Sequence, residues 1–278
     1  MRRFLIFFLV LILAVGFASA QELSLTVGME YGIGNINRAY DDDTYPYLMP
    51  MIIYENTFLD DTLDLYAELD YTFGFTKTPN EDGKEVLPQS LYFDFSLGYN
   101  LSLGSASTLT FILENEFDEL IISPSFKDSN NLRGIFTPAV KYTHGFDFGD
   151  LYAQTGVPVT YVQEVKDADI IAGFDFTVGW GSTFGLGLEA TFYTQIAPRD
   201  DAGYLGLEAI ASYETDSFYF ELDVIFPSKI SEEGLTITPE VDYAFGNFTF
   251  YTFIEFAGIG VNGGKVIITP AVGVKYSF

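Results

Sequence analysis

Carboxylates recur at alternating positions along much of this 278-residue chain. Between Leu63 and Phe75, the polar positions Asp64, Tyr66, Glu68, Asp70 and Thr72 alternate with an apolar row of Leu63, Leu65, Ala67, Leu69, Tyr71, Phe73 and Phe75. A strand sends successive side chains to opposite faces, so this segment has one acidic, wet face and one greasy face. Reading the remaining segments by twos puts Glu30, Asp94, Glu114, Glu116, Asp169, Asp175, Glu189, Glu208, Glu221, Asp223, Glu240, Asp242 and Glu255 on wet faces too, against only Lys141 and Lys275. Polar walls are ordinary, but this imbalance of sign is not. A passage lined this way concentrates cations and opposes anions.

Other chemistries find little support. Carboxylates are too numerous to single out a glycosidase pair. His144 is the only histidine, it falls beside a short turn, and no motif brings a serine and an acid to it, so a hydrolase is not expected. Asp41-Asp42-Asp43 and the pair Glu81 and Asp82 lack the spacing of a calcium loop and read as solvated acidic loops. No metal or other cofactor is expected. Tyr66, Tyr92, Tyr152, Tyr193, Tyr219 and Tyr251 share the wet faces. They could stack on sugars, but bracing the wall by hydrogen bonds to the acids is the favoured role. A formal net charge of −26 repels nucleic acid, and there is no basic patch or nucleotide-binding loop.

The elements that carry these rows are strands. Residues 1–20 read as a signal peptide: Arg2 and Arg3, an apolar run from Phe4 to Val15, then the small residues Ala18-Ser19-Ala20. Its removal takes away two positive charges and leaves residues 21–278 at −28. Across that region about fourteen alternating segments follow one another, with twelve as the alternative count. The second, Leu48 to Phe58, has the least certain register, because Met49, Met51 and Ile53 make both faces apolar. Apolar rows of about ten residues suit a tilted strand crossing a bilayer. Connectors are short and long in turn: Asp60-Asp61, Ser102 to Ser107 and Gly246-Asn247 are tight, while Gly34 to Tyr47, Thr76 to Pro88 and Asp118 to Gly134 are long. Such alternation follows when every strand crosses once, and it puts both termini on the short-turn side. Tyr99, Trp180, Tyr213, Tyr243 and Tyr276 fall near the short turns, and Tyr31, Phe75, Phe117, Tyr161, Phe192, Phe226 and Phe256 near the long loops, as two interfacial bands would. The absence of cysteine leaves closed hydrogen bonding to hold the fold.

These features specify an all-β, antiparallel up-and-down transmembrane β-barrel over residues 21–278. Fourteen strands close to a diameter of roughly 28 Å, which leaves a watery passage of roughly 15 Å between the side chains. Only Gln21 and Glu22 precede the first strand, so no plug or N-terminal hatch is expected to fill it.

The chain ends Val274, Tyr276, Phe278 in alternation, with an aromatic as its last residue, and here it resembles the bacterial outer-membrane barrel proteins as a class. The resemblance implies that these residues are read by the barrel-assembly machinery, that lipid of the outer membrane surrounds the barrel, and that both termini are periplasmic. In length and strand count the chain is similar to monomeric fourteen-stranded porins of the OmpG type. The implied function is passive, cation-preferring diffusion of small hydrophilic solutes, not enzymatic catalysis. The alternatives are a substrate-specific channel, for a saccharide for example, and a surface-exposed structural or adhesive barrel. The loop from Asp118 to Gly134, with Leu120, Ile121, Ile122 and Phe126, either folds inward, as the third loop does in trimeric porins, or prolongs its hairpin, which is favoured. Deleting Phe278 is predicted to lower the amount of assembled barrel without changing its pore properties. Normal membrane levels of the truncated chain would refute that role.

Overall fold

The computed structural model describes residues 22–34, 46–59, 62–79, 85–87, 89–118, 132–163, 168–196, 204–262 and 264–278. Residues 1–20, which the sequence suggests as a signal peptide, Asp41 to Asp43, Glu81, Asp82 and the apolar stretch from Leu120 to Phe126 lie outside the described residues.

Alternating segments become strands that each pair antiparallel with their chain neighbours: β1 (Glu22–Gly32), β2 (Tyr47–Phe58), β3 (Leu63–Gly74), β4 (Gln89–Ser102), β5 (Ser107–Asp118) and β6 (Leu132–Phe146). After them come β7 (Gly149–Gly156 continued by Val159–Gln163), β8 (Ala168–Ser182), β9 (Leu186–Ile196), β10 (Tyr204–Glu214) and β11 (Phe218–Phe226). The series ends with β12 (Leu235–Phe245), β13 (Phe248–Ile259) and β14 (Ile267–Ser277). β14 pairs back onto β1 from Thr26 with Ser277 to Gly32 with Ala271, which closes a barrel of fourteen strands. Outside the barrel wall, Thr78–Pro79 pairs with Glu85–Val86, and Ile230–Glu233 makes one helical turn between β11 and β12.

β7 is one strand in two pieces. Ala139 faces Gly156 and Phe136 faces Val159 in a single register, and the interruption between them holds Pro158 opposite a β6 strand that carries Pro138. Val157 N–H still donates to Pro138 O at 3.1 Å and Gly173 N–H to Pro158 O at 2.7 Å. The return bonds cannot form, because proline has no N–H.

Stagger sets the width. Following paired residues once around the ladder returns to β1 displaced by about sixteen residues, which tilts the strands by about 38° and gives a backbone diameter of roughly 27 Å.

One face of this wall is apolar and open, the other polar and crowded. Ile52, Phe250 and Val272 are each nearly half exposed on the outside, whereas Thr26, Glu30 and Asp70 are buried on the inside. The ladder settles the register of β2: Pro50, Ile52 and Tyr54 share the outward row of Met29, Val27 and Leu25, and Met51 turns inward to lie over Gly28. An apolar residue suits the inner face there because it fills the space that a glycine leaves.

The band of rings at the short-turn end is continuous in places. Phe148 stacks on Phe146 at 5.2 Å and meets Trp180 at 6.5 Å, while Tyr276 lies 4.8 Å from both Phe248 and Phe278. At the other end Tyr31 faces Phe75 at 6.4 Å.

A closed ladder has no edge from which to fray. The purified protein should therefore give a β-dominated circular dichroism spectrum and run on a detergent gel at a position that changes only after heating. A helical spectrum is incompatible with this fold.

Candidate functional site

Ladder parity starting from Glu30 identifies the residues that share the inner face. Asp70 pairs with Met51, and Glu68, Asp94 and Glu116 sit side by side on β3, β4 and β5. Asp64 lies opposite Gly98, Glu114 opposite Thr137, Asp175 opposite Tyr193, and Glu189 between Gly179 and Ile210. Glu208 faces Thr191 and Ile225, Asp223 faces Ile210, Glu221 faces Glu240, Asp242 faces Tyr251, and Glu255 faces Thr269. Asp169 pairs with Val162, and its side chain lies outside the described residues. Among the described residues, reading in twos missed Glu55, which shares the parity of Met51 and was hidden by the two apolar faces of β2, and Asp150 and Glu214, which have the parity of Tyr152 and Glu208 at the short-turn ends of β7 and β10.

Four large rings lie flat against this wall where the neighbouring strand has no side chain. Tyr152 covers Gly179, Tyr193 covers Gly206, Tyr251 covers Gly273 and Tyr47 covers Gly32, so closely that a methyl at any of these glycines would occupy ring space. The flat placement carries the hydroxyls of Tyr47, Tyr152 and Tyr251 to carboxylates. Tyr251 reaches across Gly273 on β14 to donate to Glu30 Oε2 at 2.9 Å, and Tyr47 donates to Oε1 of the same acid at 2.6 Å. Tyr152 reaches across Gly179 on β8 to Glu189 in the same manner, and Tyr66 and Tyr219 donate to Glu68 and Glu221 two residues along their own strands. Both inward lysines rest on such rings: Lys141 Nζ is 4.1 Å from the centre of Tyr152 and Lys275 Nζ 4.8 Å from that of Tyr251. The tyrosines therefore brace acids and carry cations on their faces.

A recess of about 980 Å³ opens in the wall at the short-turn end of β2 to β7. Its floor is ordered by side chains: Thr110 Oγ1 donates to Asn100 Oδ1 at 2.8 Å, and Asn100 Nδ2 donates to Asp64 Oδ2 at 2.6 Å. Thr57 Oγ1 donates to Asp64 Oδ1 at 3.2 Å.

His144 sits on the outward row, where Ser107 Oγ lies 2.7 Å from its Nδ1 and 3.1 Å from Tyr142 Oη. Sequence reading found no serine for this histidine; the hairpin supplies one. The other outward positions around the ring are Tyr142, Phe146 and Leu151, none of them acidic, so the pair lacks the acid that a Ser-His nucleophile needs. Among the described residues, no three acid, histidine or cysteine side chains converge as a metal site.

Solved structures with the same architecture include the Pseudomonas putida toluene transporter TodX, 11% identical with a TM-score of 0.50 over 95% of this chain and 91% of that one. The Ralstonia pickettii toluene transporter TbuX is also 11% identical, with a TM-score of 0.51 over 92% of this chain and 89% of that one. A Rh. blastica porin mutant matches at 10% identity and a TM-score of 0.46 over 92% of this chain and 99% of that one. The chain shares its barrel fold with outer-membrane proteins of similar size. No protein-family model and no curated protein matches it.

Replacing Gly273 by alanine should destabilise the barrel by about 1–3 kcal/mol, because the Tyr251 ring must leave its seat. In urea titrations of the folded protein, adding Tyr251→Ala should make the glycine change nearly silent. Full additivity of the two changes would disprove the ring-over-glycine contact.

Proposed function

We propose that the protein is a bacterial outer-membrane channel for passive diffusion of small hydrophilic solutes with a preference for cations. The supporting observation is the row of carboxylates on the inner face of a closed fourteen-strand ladder, of which Glu68, Asp94 and Glu116 are neighbours on three successive strands. Carboxylates that line a narrow aqueous path raise local cation concentration and oppose anions, with no moving part required. In this reading Glu30, Asp64, Glu68, Asp70, Asp94, Glu114, Glu116, Asp169, Asp175, Glu189, Glu208, Glu221, Asp223, Glu240, Asp242 and Glu255 line the pore.

The short turns and both termini face the periplasm, outer-membrane lipid covers the apolar face, and Val274, Tyr276 and Phe278 carry the assembly signal. No enzymatic step is assigned. Two of the fold neighbours transport toluene, but a wall of acids, hydroxyls and amides suits a hydrated solute better than an aromatic hydrocarbon. Lysines on the faces of Tyr152 and Tyr251 weigh against a continuous sugar slide made of stacked rings.

Planar-bilayer recording in a salt gradient tests the proposal. The wild-type protein should give a stable conductance with a cation-selective reversal potential, larger in dilute salt, where screening is weak, and reduced near pH 4, where carboxylates protonate. Joint replacement Glu68→Gln, Asp94→Asn and Glu116→Gln should move the reversal potential toward zero. No conductance, or anion preference in the wild type, overturns the reading.

A further inference from the structure

The inner wall is not chemically uniform. Most of it carries acids braced by tyrosines; the recess at the short-turn end of β2 to β7 holds Glu55, Asp64, Glu114 and Lys141 as well, but hydroxyl and amide groups make up most of its lining. Ser96, Thr108, Thr143 and Gln154 join the Thr110–Asn100–Asp64 chain there, with Tyr66 as an aromatic side. Its floor is Gly98, where an added Cβ would stand 3.5 Å from Thr110 Cγ2 and 3.6 Å from Asp64 Cβ, so the depth of the recess depends on the absence of a side chain.

We propose that this recess is a binding site for a neutral polyhydroxylated solute of oligosaccharide size, an off-axis station in the channel proposed above, on which this inference rests. Its chemistry selects that class. Hydroxyl and amide groups both donate and accept, as sugar hydroxyls do, and Tyr66 offers an apolar surface to a pyranose face. Threonine and asparagine held by their own hydrogen bonds present a fixed pattern, so binding does not have to order them. A metal ion is a poor occupant, because among the described residues no three acid, histidine or cysteine side chains come close enough together to hold one. An aromatic hydrocarbon would strip water from most of the lining with nothing in return. The volume, about 980 Å³, accommodates several sugar rings and is far larger than a single hydrated ion requires.

The test uses the full chain refolded and inserted in planar bilayers, with raffinose as the probe and polyethylene glycol of equal hydrodynamic size as the control. Raffinose should interrupt the current in a saturable, concentration-dependent manner, while the polymer should lower it only by displacing salt. Calorimetry of raffinose with the detergent-solubilised barrel reads the same site without conduction. Gly98→Leu fills the floor and should abolish both signals while a stable open conductance persists. Asn100→Ala with Thr110→Val should weaken raffinose about tenfold, as the loss of one well-formed hydrogen-bonding group does. A wild-type current that responds to raffinose as it does to the polymer, with no heat of binding, overturns the sugar site and leaves the channel standing. Raffinose affinity in folded Gly98→Leu within twofold of wild type overturns it as well. Binding heat without any conductance overturns the channel and leaves the site.

Discussion

The pairing of β14 with β1 is the constraint on which the rest of the structure depends. Inside hydrocarbon, no water is present to satisfy a backbone N–H or C=O, so an open sheet edge would leave a row of polar groups bare. Closure removes that edge, and Phe278 N–H bonding to Leu25 O at 3.0 Å carries the seam to the last residue. Once the ring is closed, its stagger determines the tilt, the diameter and therefore whether a lumen exists at all. The defects at Pro138 and Pro158 are tolerated because they lie between strands whose register continues on both sides.

The inner face then has a packing problem that flat sheets do not have. Side chains on a concave wall converge, so a tyrosine can lie down across the next strand where that strand offers a glycine, as at Gly179, Gly206 and Gly273. That geometry is also what ties the acids in place: a ring lying across one strand delivers its hydroxyl to a carboxylate on the strand beyond, as Tyr251 does to Glu30. Packing and electrostatics of the lumen are therefore built from the same residues. The two lysines do not cancel the acid field over the whole wall, because each is held at a tyrosine face.

Fourteen strands, their faces and the closing pair could be read from alternation and connector length, because both follow from a strand's period of two and from crossing once per segment. β2 resisted that reading, and Glu55 went with it, because its inner face needs Met51 to fill the space over Gly28 and so lost the polar signal. Asp150 and Glu214 were passed over because they sit at the very ends of their strands, beside the turns, where alternation gives out. Ser107 and His144 meet because the β5–β6 register makes direct partners of positions 37 residues apart. No local pattern announces such a pair. The glycines were visible, yet their opposition to tyrosines depends on the stagger of neighbouring strands, which a single sequence does not display.

The recess illustrates what a polar wall can conceal. Ser96, Asn100, Thr108 and Thr110 looked like the uncharged remainder of an acidic row, with no spacing to distinguish them from solvated wall. Register makes Asn100 the partner of Thr110 and Gly98 that of Asp64, and with those pairings the uncharged residues gather into one sector instead of being spread around the ring. Acids are present there too, Glu55, Asp64 and Glu114 among the lining, but hydroxyl and amide groups outnumber them. A lumen divided in this way can act on charge and on hydroxyl pattern independently, because the field of the acids extends about a Debye length, about 8 Å at physiological salt, while hydrogen bonds act only in contact.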